Sequence, residues 1–539
     1  MERSRLIGAM QEILGVDGVI SEREQLRTYE CDGLMNYRVI PDLVVLPESA
    51  EQVQRVVRLC HDEGIPFVAR GSGTGLSGGA LPVEAGVLIV MARMRRILEV
   101  DIPNQRVVVE PGVINIWVSQ EVADEGYYYA PDPASQIVSS IGGNLAENSG
   151  GVHCLKYGFT TNHVMGAEVV LADGSVVHIG GGKAPDAPGY ELLGAFGGSE
   201  GTLGIATKIT LRLVRKPESV RTVLAAFTDT EEDGGAVSGI IGAGIVPAAI
   251  EMMDALTIEA VETTVAPGFP DAGAILIVEL DGPEAEVASQ FDKVIETCEE
   301  NQASDIRVAE DDEERALFWK GRKAAFGAMG SISNDYYVQD GVVPRTELGK
   351  VLKRIASLSE EYGLRVANVF HAGDGNLHPL VLYDNDVEGE AKKAEELAGD
   401  IVFTCLEHGG SLTGEHGIGE DNKKYMPKMF TTEDMDVMQL LRCAFDPHQI
   451  CNPGKIFPTP ASAANAPAPS TCTRSKKPAW RRTSNADGEG LPGGPAQHRR
   501  RGQRPRGDQW GRRRGRNGLP GRRARLGRGD QRGHEARPQ

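Results

Sequence analysis

Hydrophobic positions recur along the chain with two periods, and the changes of period mark out its organisation. Apolar residues every three to four positions predict helices over Arg3–Leu14 and Ala50–Glu63; in the second, Val53, Val56, Val57 and Cys60 share a face behind Ser49 as cap. Ser21 and Glu24 have the spacing of a capping box. After Pro41, short β-branched runs alternate with helical patterns: 43–46, 65–69, 87–91, 107–110, 169–171, 176–179 and 204–214 predict strands. Farther on, 274–280 and Val366–His371 predict strands, and 284–301, Leu348–Tyr362 and 388–408 predict helices. Residues 431–457 read as helical up to a turn at Asn452-Pro453-Gly454. The expected fold class is α+β: a helical segment over 1–40, one α+β domain over 41–217 and a second over 218–458.

Composition changes this picture only at the end of the chain. The 539 residues are 40% hydrophobic and 25% charged, as in an ordinary globular protein, and no window approaches the ~18 unbroken apolar residues of a membrane helix. The net charge of −19 conceals a split. Residues 459–539 carry 20 basic and 5 acidic side chains, and the preceding body carries 37 and 71. An acidic body repels phosphate, which argues against nucleic acid as a partner. The Arg/Gly/Pro-rich tail has almost no branched aliphatic residues, cannot bury enough apolar area to fold, and is expected to be disordered. The abrupt end of the globular pattern at Pro458 favours out-of-frame translation over an RNA-binding Arg/Gly segment. Eight cysteines without a C-x-x-C pair argue against a disulfide framework and an iron–sulfur site, and a cytoplasmic setting is expected. The stretch 1–15 is interrupted by Arg3, Arg5 and Glu12 and has no signal-peptide core.

Several motifs look chemical. Gly73-Thr74-Gly75-Leu76-Ser77-Gly78 matches a dinucleotide fingerprint, but no helix pattern follows it, so a Rossmann unit is rejected. The run from Arg70 through Gly71 and Ser72 to Gly79 still frees its N–H groups to form an anion nest, with hydroxyls from Ser72, Thr74 and Ser77, and suits a diphosphate. A second glycine-rich stretch, Ser139-Ser140-Ile141-Gly142-Gly143-Asn144 through Asn148 to Gly150-Gly151, follows the stiff Pro131-Asp132-Pro133. Two such loops favour one large phosphate-bearing cofactor. Gly197-Gly198-Ser199-Glu200-Gly201 matches a nucleophile elbow, but a strand pattern follows it, so a serine hydrolase is rejected. In Val369-Phe370-His371-Ala372-Gly373-Asp374-Gly375-Asn376-Leu377-His378, a two-residue Asp374-Gly375 turn would set His371 opposite His378, close enough to grip one metal ion. The loop Gly414-Glu415-His416-Gly417 offers a third ligand and a general base, without spacing saying which is which. Arg322 lies on an expected helix beside aromatics, where it either clamps a carboxylate or sits on a solvated face.

Together these residues resemble the FAD-linked catalytic subunits of glycolate oxidases, within the vanillyl-alcohol-oxidase group of flavoproteins (PCMH-type FAD-binding domain), with D-lactate and D-2-hydroxyglutarate dehydrogenases as relatives. The resemblance runs through PFVARGSGTGLSGG, PDPASQIVSSIGGNLAENSGG, GGSEGTLGIATKITLRL, NDYYVQDGVVPR, FHAGDGNLHP, GEHGIG and CNPGKIFP, over about residues 30–458. It implies a two-part FAD-binding domain and an α+β FAD-linked oxidase C-terminal domain, whose last piece, 431–458, returns to the flavin. By resemblance FAD is held by Arg70–Ser77, Pro131, Asp132, Ser139–Gly151 (Ser140, Gly142, Gly143, Asn144, Asn148 and Gly150 included), Gly201, Gly204, Ile205 and Asn452. It is expected to be non-covalent, because Thr74 stands near where covalently flavinylated relatives carry a histidine. His371, His378 and Glu415 are implied as ligands of a divalent metal (Zn, Mn or Fe), His416 as the base and Arg322 as the grip on the substrate carboxylate. The implied reaction is oxidation of a small 2-hydroxy acid, glycolate to glyoxylate or D-lactate to pyruvate. The implied partners are a second flavin subunit and an iron–sulfur subunit that carry electrons toward a membrane quinone, which would place the chain at the inner face of the membrane through them. The absence of a lysine from 334–343 favours a monocarboxylate over 2-hydroxyglutarate. A stand-alone D-lactate dehydrogenase and a catalytically silent flavin-binding scaffold are the alternatives.

Overall fold

The computed structural model describes residues 1–181 and 189–458. The disorder expected for 459–539 falls outside the described residues. The first half is built on two sheets. One has the strand order Val19–Ile20, Leu43–Val45, Val87–Val90, Phe67–Arg70, with the last three parallel. Helix Ala50–Glu63 is the crossover between Leu43–Val45 and Phe67–Arg70. Ser49 Oγ accepts from Gln52 N at its start, and Gly64 stops it at φ 66°. Its four apolar side chains, Val53, Val56, Val57 and Cys60, are fully buried, each valine contributing about 1.5–3 kcal/mol relative to exposure. Leu6 and Met10 of helix Arg3–Leu14 join the same cluster, so the N-terminal segment packs as part of this domain. The second sheet is antiparallel, in the order Ile97–Asp101, Arg106–Val109, Ile205–Arg212, Val164–Val170, Val176–Gly180.

The second half is one large antiparallel sheet in the order Asp305–Val308, Ser219–Phe227, Ala274–Gly282, Ala249–Asp254, Val366–His371, Asn376–Leu377, Gly341–Val342. Strands Asp335–Val338 and Pro379–Tyr383 extend it beside Val366–His371. Its central strands read as unbroken apolar runs because both faces are covered. Val223, Ala225 and Phe227 face one cluster, with helices Thr230–Gly242, Glu284–Glu300, Leu348–Tyr362 and Glu390–Glu407. Leu224 and Ala226 face another, with Ala255–Thr264 and Asp312–Ala328. The chain then comes back to the first half. Phe67 N donates to Ile450 O (2.9 Å), Asn452 N donates to Phe67 O (2.8 Å), and Ile450 and Cys451 are buried in the first domain's core.

Four local expectations are corrected. The helix after Ser21 starts at Arg23, and its N-cap, Glu22, makes no side-chain cap bond, so the Ser21/Glu24 capping box does not form. The helix expected through 431–457 is Thr432–Phe445; beyond it Asp446 Oδ2 accepts from Cys451 N (2.8 Å), folding the chain into a turn. The second glycine-rich stretch is partly a helix, Ile141–Glu147, because Ser140 caps it and Gly142 packs where a Cβ would lie 2.6 Å from Pro111. Close packing there outweighs the poor helix propensity of glycine. The Asp374-Gly375 hairpin register is also different. His371 pairs with Asn376, and Asn368 with Pro379, around a four-residue turn. Gly375 sits at φ 79° against Val343 O, leaving no room for a side chain. The slip is by two residues, so His371 and His378 keep the same face of the ribbon.

Candidate active site

A cleft of about 1000 Å³ runs between the two halves of the fold. Its first wall is Gly71, Ser72, Gly73, Thr74, Gly75 and Leu76, and its second is Asp132, Ser139, Ser140, Gly143 and Asn144. The two walls interlock: a Cβ on Gly71 would lie 2.1 Å from Ser140 Oγ. Other residues expected at the cofactor make contacts within the protein around this wall. Arg70 is buried, and its Nε and Nη2 donate to Ala80 O. Ser77 O accepts from Glu420 N and Asp421 N. Pro131 O accepts from Asn115 Nδ2, and Asn148 Oδ1 from Thr161 N. Gly151, at φ 145°, packs on Asp132. Asn452 Nδ2 donates to Gly79 O and Glu200 O. Gly142, Gly201, Gly204 and Ile205 line a smaller cavity of about 70 Å³ behind Gly71 and Gly143.

The far end of the cleft holds Arg322, His371, His378, Glu415 and His416. His378 Nε2 lies 3.1 Å and His371 Nε2 3.4 Å from Glu415 Oε1. His416 stacks on His378, with centroids 4.9 Å apart at 10°. Strand Val366–His371 carries the first histidine, the single residue between strands Asn376–Leu377 and Pro379–Tyr383 is the second, and the loop after the helix Glu390–Glu407 carries the Glu415-His416 pair. Burial alone would push the Glu415 carboxyl up, but the neighbouring His371 and His378 hold it well below the usual range. His371 goes the other way, raised by Glu251 and Glu415 against its burial. His416 is lowered, first by burial, so it rests neutral. The two halves meet here: a Cβ on Gly150 would lie 2.4 Å from Glu415 Oε2.

Arg322 is 1% exposed, which removes the reading of a solvated helix face. It is engaged within the protein: Nη2 lies 2.6 Å and Nε 2.8 Å from Glu251 Oε2. Glu251 Oε1 in turn accepts from His371 Nδ1 (2.8 Å), which turns the His371 Nε2 toward Glu415.

Sequence reasoning passed over Glu251, Asp340, Glu147, Glu200 and Lys455. Glu251 had a signal, a carboxylate in mid-strand among the apolar residues of Ala249–Asp254, which must find a buried partner. Asp340 Oδ2 accepts from the backbone N of Gly414 (2.9 Å), Glu415 (3.0 Å) and His416 (2.7 Å) and from the Thr413 hydroxyl, and so shapes the loop. Nothing in its local sequence announces this. Glu147 lines the cleft, and burial beside Glu200 raises its carboxyl well above the usual range. Burial lowers Lys455 to about 8.

One electrostatic latch joins the two halves of the fold. His153 Nδ1 is 3.0 Å from Asp132 and its Nε2 3.6 Å from Glu279. Burial alone would lower its pKa, but the two carboxylates raise it to about 10. A raised histidine stabilises fully below its unfolded value and loses that contribution as pH rises through the folded one. The melting temperature should therefore fall between about pH 6.5 and 10 in the parent, and His153→Gln should flatten that slope. Equal slopes in a pH series of thermal melts would remove the latch.

Comparison with known proteins follows the same division. Residues 41–180 match the FAD binding domain family and residues 216–456 match "FAD linked oxidases, C-terminal domain". The chain is 49% identical over 460 residues to the glycolate oxidase subunit GlcD of Escherichia coli (strain K12), covering 85% of this chain and 92% of that one. It is 33% identical to a D-lactate dehydrogenase of Anaerostipes hadrus, covering 77% and 89%. In fold it is similar to p-cresol methylhydroxylase with substrate bound, with TM-score 0.70 and 18% identity over 84% of this chain and 97% of that one. No helix among the described residues is long and apolar enough to cross a membrane. A glycine-walled cleft that ends in an imidazole–carboxylate cluster, two matched domains and these relatives agree: the chain belongs to the FAD-linked oxidase family of oxidoreductases.

Proposed function

We propose that the protein oxidises a small 2-hydroxy acid, glycolate before D-lactate, at the carbon bearing the hydroxyl. The observation that carries this is the single cleft shared by the glycine-rich walls and the His371/His378/Glu415/His416 cluster. The fit to FAD rests on the two glycine-rich walls, which leave the cleft free of side chains at Gly71, Gly73, Gly75 and Gly143, and on the hydroxyls of Ser72, Thr74, Ser139 and Ser140. When bound there, FAD supplies the hydride acceptor. Thr74 offers no ring nitrogen for a covalent link, so the cofactor is expected to dissociate on denaturation. The fit to a divalent cation rests on His378 Nδ1 and Nε2 and on Glu415 Oε2, which are buried without hydrogen-bond partners, and on ligand atoms of His371, His378 and Glu415 within 4.8 Å of one another. These three residues would hold a cation that lowers the pKa of the substrate hydroxyl.

The protein's own groups divide the remaining work. His416 Nε2 faces the cluster 3.8 Å from Glu415 Oε1 and receives the hydroxyl proton as hydride leaves the same carbon. Arg322, held by Glu251, supplies a fixed positive charge toward the carboxylate. Asn334, Asp335, Tyr336 and Val338 line the cleft without contributing a lysine, and Lys323 and Lys392 line it from other elements, so the preference for a monocarboxylate rests on the 334–343 segment alone. Reduced cofactor must then pass two electrons on. The relative named as a glycolate oxidase subunit supports partner subunits as acceptors, here an iron–sulfur subunit and a second flavin subunit.

Anaerobic titration of the FAD-loaded protein with glycolate, and separately with D-lactate, tests the reading. Bleaching of the visible flavin band by glycolate at lower concentration than by D-lactate is expected, and a fully loaded protein bleached by neither acid would sink it.

A further inference from the structure

The loop that carries His416 belongs to the second half of the fold, yet its far end is held by the first. Glu200 lies in the stretch between the two matched family segments, and its carboxylate accepts from Ile418 N and Gly419 N, both at 2.7 Å. Glu200 is itself fixed from every side. Its N–H donates to Ala146 O (2.8 Å), and its carbonyl accepts from Asn452 Nδ2 (2.6 Å) of the returning C-terminal segment. It occupies the left-handed region at φ 52°, a conformation glycine adopts more cheaply, so the surroundings hold this residue in place. Between the carboxylate and the loop there is no slack: a Cβ on Gly417 would lie 3.0 Å from Glu200 Oε1 and 2.4 Å from Glu147 Oε2. Asp340 binds the same loop from the opposite side, through the amides of 414–416.

We propose that Glu200 is a positioning residue that clamps the His416 loop onto the flavin-binding half, setting the distance from base to cofactor. The two carboxylates divide the loop. Asp340 shapes its first turn within its own domain, whereas Glu200 fixes the following residues to the opposite wall of the cleft. A carboxylate suits this work because each oxygen serves one amide. The Gln side chain has one acceptor only and would turn an N–H toward the other donor. The inference rests on the reading of His416 as the base.

The test uses the FAD-loaded protein and Glu200→Gln, with hydrogen exchange across 415–420 and rapid-mixing flavin reduction by glycolate. Exchange at Ile418 and Gly419 is expected to accelerate by about tenfold or more. The limiting rate of flavin reduction should fall about tenfold or more, while the apparent Kd for glycolate stays within about threefold. Where the Gln variant retains no FAD, Glu200→Asp, which keeps the charge but withdraws it from the amides, is put through the same two measurements. A loaded variant with unchanged exchange, or with faster exchange and an unchanged limiting rate, overturns the proposal. If the parent itself fails to reduce flavin, the reading of His416 falls, and the exchange data still decide the clamp.

Discussion

Replacing His416 by alanine should lower the limiting rate of flavin reduction by about 10²–10⁴-fold, the range for a positioned general base. The structure argues for the upper part of that range. The imidazole is neutral by virtue of its burial and lies stacked on His378, which fixes its ring plane. Its backbone is fixed by Asp340, and the N–H groups that follow it are fixed by Glu200. Deletion therefore removes a base that is already placed and already deprotonated, and water in its position would be neither. The loop's main chain does not depend on the imidazole, so FAD content and thermal midpoint should stay near those of the parent. Rapid mixing with glycolate under anaerobic conditions reads the effect. A His416→Ala protein that reduces its flavin within about threefold of the parent rate would show that another group takes the proton.

The sequence was most informative where a local rule coincides with tertiary packing. Helices Arg3–Leu14, Ala50–Glu63 and Leu348–Tyr362 start and stop where their periodicity does, because their apolar faces are the faces buried. In the large sheet of the second half, Ala274–Gly282 and Val366–His371 were legible as apolar runs, whereas Ser219–Phe227 and Ala249–Asp254 were not read as strands, and the strand order was hidden: pairings such as Ser219–Phe227 with Ala274–Gly282 join distant segments and leave no local mark. At the site, His371 and His378 were placed on one face correctly from a wrong register, since an even slip conserves the side of a ribbon. Gly142 and Gly143 suggested a loop because glycine propensity is local, whereas the fit against Pro111 and the Ser140 cap are not. The supporting carboxylates were the least visible. Asp340 and Glu200 act on backbone amides 74 to 76 and 218 to 219 positions away, which no spacing rule reaches.

Replacing Arg322 by methionine should destabilise the protein by about 3 kcal/mol, the lower end of the 3–5 kcal/mol range for removing one partner of a buried ion pair. The lower end applies because Glu251, fully buried, would not be left alone: His371 Nδ1 still lies 2.8 Å from its other oxygen. The same reasoning fixes the companion experiment. Adding Glu251→Gln to Arg322→Met removes the carboxylate charge that has lost its cation while keeping an acceptor for His371, so the double variant should recover most of the lost stability in urea unfolding. It should not recover function. The guanidinium that faces the cleft is gone in both proteins, and a neutral amide in place of the carboxylate no longer raises the basicity of His371. Stability and turnover thus separate across the pair: the first follows charge balance between Arg322 and Glu251, and the second follows the presence of a fixed cation beside the imidazoles. An Arg322→Met protein within about 1 kcal/mol of the parent would mean that His371 alone balances Glu251. In that case the arginine is held in the cleft wall for the sake of the substrate carboxylate rather than for the fold.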